Sequence, residues 1–129
     1  MTESATGSRP RVVIVVDDEK VIAITLAAIL KRAGFDAHAM FSGREVLDSL
    51  ESLQPDLLIS DVVMPKMNGI ELATIVRSRL PTCRILLFSG QALTSDLLED
   101  AHLYHHEFEI LNKPIHPTDL LAKLKTGLF

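Results

Sequence analysis

The sequence predicts an α/β domain built on a five-stranded parallel sheet, strand order 2-1-3-4-5, doubly wound with helices on both faces. Three observations carry this. Short apolar runs without polar alternation, such as Val12-Val13-Ile14-Val15-Val16 and Ile85-Leu86-Leu87-Phe88, suit strands covered on both sides. The segments between such runs repeat apolar residues at helical spacing. The connections are short, and 129 residues with 47% hydrophobic content supply one aliphatic core.

Taken in order, residues 1–10 are polar, have nothing to bury, and read as a disordered tail before a domain over 11–129. The first strand, Val12–Val16, ends in Asp17-Asp18-Glu19. A helix follows with Val21, Ile22, Leu26, Ile29 and Leu30 as its inward stripe, stopped near Gly34. Ala37–Met40 is a second strand, and Ser42 caps a helix carrying Val46, Leu47 and Leu50. Pro55 precedes the third strand, Leu57-Leu58-Ile59, which also runs into an acid, Asp61. The loop with Pro65 and Asn68-Gly69 leads to a helix bearing Ile70, Leu72, Ala73, Ile75 and Val76. The fourth strand, Ile85–Phe88, closes on Ser89-Gly90, and Thr94 or Ser95 caps a helix with Leu97, Leu98 and Ala101. A fifth strand, Phe108–Leu111, stops at Asn112-Lys113-Pro114 before a last helix over roughly 117–126.

Composition excludes several classes of function. A net charge of −4 leaves no electrostatic footprint for direct nucleic-acid binding. The single Cys83 cannot form an internal disulfide and reads as a small buried thiol. No apolar run reaches the ~18 residues of a membrane span, and the polar N-terminus carries no secretory signal. A cytoplasmic domain is the expectation.

Ligands of open parallel sheets bind outside the carboxyl ends of the strands. Asp17, Asp18, Asp61, Ser89 and Lys113 each follow a strand, so three carboxylates, a hydroxyl and an ammonium converge at one end of the sheet. Hard cations such as Mg²⁺ take oxygen ligands, and a lysine offers a point charge to a phosphoryl oxygen. These parts suit phosphoryl transfer, with Asp61, on the central strand, as the attacking carboxylate.

With those residues in place, the sequence resembles the receiver domain of two-component response regulators, of the single-domain type with a flavodoxin-like fold. The likeness spans nearly all of residues 11–126 through VVIVVDDE at 12–19, LLISDVVMPKMNGIEL at 57–72, Ser89-Gly90 and Lys113-Pro114. The resemblance implies that Asp61 accepts a phosphoryl group from a histidine kinase or histidine phosphotransfer protein. It implies that Asp17, Asp18, Asp61 and the backbone carbonyl of Val63 hold Mg²⁺, that Ser89 and Lys113 bind the phosphoryl group, and that a cis peptide precedes Pro114. A downstream protein target would read the result, with no nucleic acid or membrane contacted directly. Such a domain catalyses its own phosphorylation and dephosphorylation and turns over no external substrate.

The chain departs from the family at two places. Ile110 stands where an aromatic residue is usual, three before the lysine, and is expected to stay buried; Phe108 shares its parity. His105-His106-Glu107 replaces the usual glycine-containing segment before the last strand. Val63 and Gln91, two residues after Asp61 and Ser89, are expected to border the hydrolytic water.

Other functions fit the residues less well. An Asp-nucleophile phosphatase wants a second Asp where Val63 stands. An FMN binder wants a glycine- and hydroxyl-rich loop where Asp17-Asp18-Glu19 would repel phosphate. His102 and His106 share a helical face but lack a third zinc ligand. A phosphorylation-independent receiver scaffold is the remaining alternative.

Overall fold

In the computed structural model, residues 10–89, 108–113 and 116–126 are described. Residues 1–9 of the tail expected over 1–10, the helix expected after Thr94, Gly90, Gln91, His102, His105-His106-Glu107 and Pro114 lie outside these residues.

The strands are β1 (Val12–Val16), β2 (Asp36–Met40), β3 (Leu57–Asp61), β4 (Arg84–Ser89) and β5 (Glu109–Asn112). They form one sheet in the order β2-β1-β3-β4-β5, with every pair parallel. The helices among the described residues are α1 (Lys20–Arg32), α2 (Gly43–Leu53), α3 (Gly69–Arg79) and α4 (Pro117–Thr126).

Strand alternation divides the core in two. Ile14, Val16, Leu58, Ile85 and Leu87 face α2 and α3, where Val46, Leu50, Leu72, Ala73 and Val76 pack on them. Val13, Val15, Leu57, Ile59, Leu86 and Phe88 face α1 and α4 through Ala23, Leu26, Leu30, Leu120 and Leu124. Each fully buried Val, Leu, Ile or Phe contributes about 1.5–3 kcal/mol, so these unalternated strands specify a two-sided sheet.

Local chemistry ends the helices where the sequence places the breaks. The Ser42 hydroxyl accepts from the Glu45 N–H at 3.2 Å, starting α2. Asn68 and Glu71 form a reciprocal capping box at the start of α3. Gly34 has φ +99° just past α1, a conformation that glycine reaches without Cβ strain.

Two expectations need correction. Val21 belongs to the predicted inward stripe of α1 but is 77% exposed, as is Ile24 at 53%. The buried stripe is Ala23, Leu26, Ala27 and Leu30, and Val21 lies about 200° from Ala23 around the helix axis. Ile110, expected to be buried, is 37% exposed. It sits on β5 at the sheet edge, where a strand flanks it on one side only.

Candidate functional site

Asp17 follows β1, Asp61 closes β3, Ser89 closes β4 and Lys113 follows β5, so the parallel sheet delivers all four to its carboxyl end. Asp18 joins them from the turn after Asp17. Carboxylate oxygens of Asp17, Asp18 and Asp61 lie within 4.8 Å of one another. The Lys113 ammonium donates to Asp17 Oδ2 at 2.9 Å and stands 3.4 Å from Asp61 Oδ1. The five side chains named from the sequence thus occupy one end of the sheet, and three of them, Asp17, Asp61 and Lys113, are joined by ion pairs.

Burial differs across the cluster. Asp17 is fully buried, Asp61 is 6% exposed and Ser89 is buried, whereas Asp18 is exposed. Both oxygens of Asp17 are engaged: Oδ1 accepts from the Glu19 N–H at 2.9 Å while Oδ2 takes the lysine. That arrangement fixes the β1–α1 turn as a polar shelf beside Asp61.

The charges do not balance. Burial pushes the Asp61 carboxyl above its ordinary range, the negative charges of Asp17 and Asp18 add to that, and the charge and hydrogen bond of Lys113 pull against it without reversing the direction. Burial works against the Lys113 ammonium, but the hydrogen bond to Asp17 and the charges of Asp61 and Asp17 prevail and hold it above the usual lysine range. Lys113 therefore stays cationic while Asp61 sits in a cluster with surplus negative charge. Three clustered carboxylate oxygens form a donor set that fits a hard, oxygen-seeking cation and no soft one.

The backbone around Asp61 is tightly held. The buried Ser60 hydroxyl donates to the Asp61 carbonyl at 2.9 Å. The Val62 N–H donates to the Phe88 carbonyl at 2.9 Å and the Gly69 N–H to the Val62 carbonyl at 2.8 Å. A Cβ on Gly69 would run into the Asp61 carbonyl oxygen, so only glycine lets α3 start this close to the strand end. In the sequence Asn68-Gly69 is a loop signal, and the only trace of this contact there is the glycine directly after a capping residue. The Val63 side chain is 65% exposed at the rim.

Lys66 in the same loop has φ +69°, a left-handed conformation unusual for a side-chain-bearing residue. At the opposite rim, the Lys20 ammonium lies 5.3 Å from the Phe41 ring centroid, joining the start of α1 to the end of β2. Neither is legible in the sequence: a lysine does not signal a left-handed backbone, and the Lys20–Phe41 contact depends on two segments meeting in space.

Comparisons with known proteins agree with this geometry. The family model described as response regulator receiver domain matches residues 13–125. The alkaline phosphatase synthesis transcriptional regulatory protein PhoP of Bacillus subtilis (strain 168) is 31% identical over 116 residues, covering 90% of this chain and 48% of PhoP. The chain thus spans about half the length of that relative. The chemotaxis protein CheY4 of Vibrio cholerae superposes with a TM-score of 0.81 at 29% identity, over 92% of this chain and 99% of CheY4. The signal receiver domain of an HD domain-containing protein from Pseudomonas fluorescens Pf-5 gives a TM-score of 0.82 at 26% identity, over 93% of this chain and 95% of that one.

Proposed function

This chain belongs to the response regulator receiver domain family of two-component systems, and from that premise we propose that it accepts a phosphoryl group on Asp61 and signals by protein contact or by relay. The observation that carries the reading is Asp61 itself: a nearly buried carboxylate at the end of a central strand, flanked by two acids and 3.4 Å from a lysine ammonium. Residues 11–129 act as the receiver unit in the cytoplasm, with a histidine kinase or histidine phosphotransfer protein as donor and a protein target as reader.

In the transfer, an Asp61 carboxylate oxygen attacks phosphorus and the P–N bond of the donor phosphohistidine breaks. The imidazole leaves with the bond's electron pair and takes up a proton. The product is an acyl phosphate on Asp61. Lys113 offers its ammonium to a phosphoryl oxygen, for which it exchanges part of its hold on Asp17 and Asp61. Ser89, buried at the end of β4, supplies a hydroxyl donor to the same group. Asp17, Asp18 and Asp61, with the Val63 carbonyl, would hold Mg²⁺, which supplies neutralisation of charge on the transferring phosphoryl group. No external substrate is turned over; the domain promotes its own phosphorylation and its loss.

Incubation with acetyl phosphate and Mg²⁺, followed by intact mass, tests the assignment. One phosphate should be gained, and Asp61→Asn or EDTA should abolish the gain. Labelling that persists in either condition would overturn it.

A further inference from the structure

At the far end of the sheet from Asp61, Arg84 gathers three elements. Its Nε and Nη2 donate to the two carboxylate oxygens of Glu109 on β5 at 2.8 and 2.9 Å. Nη1 donates to the Leu124 carbonyl and Nη2 to the Lys123 carbonyl, each at 3.2 Å, within the last turn of α4. The Arg84 side chain is only 15% exposed, and Lys123 adds an ammonium 3.3 Å from the same Glu109 carboxylate. One guanidinium thus joins β4, β5 and the carboxyl end of α4.

The placement of Glu109 matters for Lys113. Alternation puts Glu109, Leu111 and Lys113 on one face of β5, the face that packs on α4 through Leu111. Lys113 ends that row, with its ammonium 5.7 Å from the Phe88 ring centroid and bonded to Asp17. This face of the strand is therefore tied by charge at both ends: Glu109 to Arg84, and Lys113 to Asp17 and Asp61.

β5 has four residues and pairs with β4 alone, so few ladder bonds set its register. A slip of one residue would turn Leu111 out of the core, and burial forbids it. A slip of two residues keeps every side chain on its face and moves Lys113 by about 7 Å along the strand. That second slip would set Glu109 or Lys113 where Leu111 packs, a cost limited by the part-burial of Leu111. A forked guanidinium adds to the discrimination, because its paired bonds to Glu109 fit one carboxylate position only.

The geometry points to Arg84 as a positioning residue for the phosphoacceptor site, holding β5 in the register that sets the Lys113 ammonium beside Asp17 and Asp61. The inference rests on the proposed role of Lys113 at Asp61.

The test compares Arg84→Met, Arg84→Lys, Glu109→Gln and the exchanged pair Arg84→Glu/Glu109→Arg, at a temperature where all are folded by circular dichroism. Two readouts are taken. One is the side-chain ammonium resonance of Lys113 in protein carrying ¹⁵N-lysine, assigned by its loss in Lys113→Arg. The other is the rate of phosphate gain from acetyl phosphate with Mg²⁺.

Arg84→Met and Glu109→Gln should move the Lys113 resonance and slow phosphate gain by about 10- to 100-fold, the scale that misplacement of a remote support produces. Arg84→Lys keeps the charge but not the fork and should behave like Arg84→Met, while the exchanged pair should recover the resonance position and part of the rate. A change in melting temperature alone, with the Lys113 resonance and the rate unmoved, would overturn the inference. Should the wild type gain no phosphate, the reading of Asp61 fails. The resonance then still decides whether Arg84 positions Lys113.

Discussion

Two carboxylates, Asp61 and Glu109, sit at opposite ends of the same sheet, each beside a cationic side chain, and their environments drive them in opposite directions. Asp61 is pushed up by burial and by Asp17 in spite of Lys113. Glu109 is pulled down, chiefly by its hydrogen bonds to Arg84, against a smaller cost of burial. The difference lies in how the charges are counted. Around Asp61, the acids Asp17, Asp18 and Asp61 face Lys113. Around Glu109, one carboxylate meets Arg84 and Lys123. A surplus of negative charge leaves the first end with unmet attraction for a cation or a phosphoryl group's counter-charges. The second end is satisfied within the protein, and its chemistry is architectural.

The strongest way to break this contrast is to remove the surplus. Asp18 is the exposed member of the acidic group and makes no part of the lysine contact, so it is open to a metal ion. Asp18→Ala should weaken Mg²⁺ binding at least about tenfold, the lower end of what losing a metal-site contact costs. Calorimetric titration with Mg²⁺ gives the answer directly. Unchanged affinity would mean that the acids at this end do not form a cation site.

The next effect sharpens the other side of the comparison. Glu109→Gln removes one charge from a satisfied cluster and should cost about 1–2 kcal/mol, less than a fully buried pair because the carboxylate is part-exposed. Its sign with pH follows from the direction of its shift. The folded-state pKa lies below the unfolded one, so the stabilisation is present above the ordinary carboxylate range and is lost as pH falls through the folded value. Urea unfolding of both proteins at about pH 7 and about pH 3 should show the gap closing in acid. A gap that stays constant would mean that the charge of Glu109 contributes nothing.

Which parts of this were legible from sequence follows from where each signal is stored. Asp17, Asp61, Ser89 and Lys113 could be gathered because a parallel sheet brings all its strand ends to one side, and each lies within two residues of the end of an apolar run. The pairing of Arg84 with Glu109 could not, because 25 positions separate them and either would read as an ordinary surface charge. Val21 misled for a different reason. It is apolar and adjacent to a helical stripe, and only the packing of Ala23 and Leu26 on the sheet shows which side faces inward. Ile110 misled because apolar character predicts burial, whereas an edge strand buries its two faces unequally.

Asp61→Asn should give a smaller stability effect than Glu109→Gln, and of opposite sign. The folded-state pKa of Asp61 is raised, so the carboxyl favours folding below the unfolded pKa and loses that advantage as pH rises through the folded value. At neutral pH the ionised side chain is a net cost in metal-free buffer. Replacing it with the uncharged amide should raise the melting temperature there, and the gain should fade on acidification below the usual carboxylate range. A lower melting temperature at neutral pH would show that the Lys113 contact outweighs burial and the Asp17 charge.

The smallest effect belongs to Ile110, which lies between the two clamps but on the other face of β5. Glu109 and Leu111 flank it, and both turn toward α4 and the charged ties, whereas Ile110 turns away and is 37% exposed. A tyrosine at this part-exposed position can keep its hydroxyl hydrated, which limits overpacking. Ile110→Tyr should change stability by no more than about 0.5 kcal/mol, as surface substitutions do. The rate of phosphate gain from acetyl phosphate should also be unaltered, because Lys113 is held from the opposite face. Urea unfolding and a time course of intact mass check both statements. A slowed rate with unchanged stability would show that the outward face of β5 also governs Lys113, and that the charged ties on the α4 side do not hold it alone.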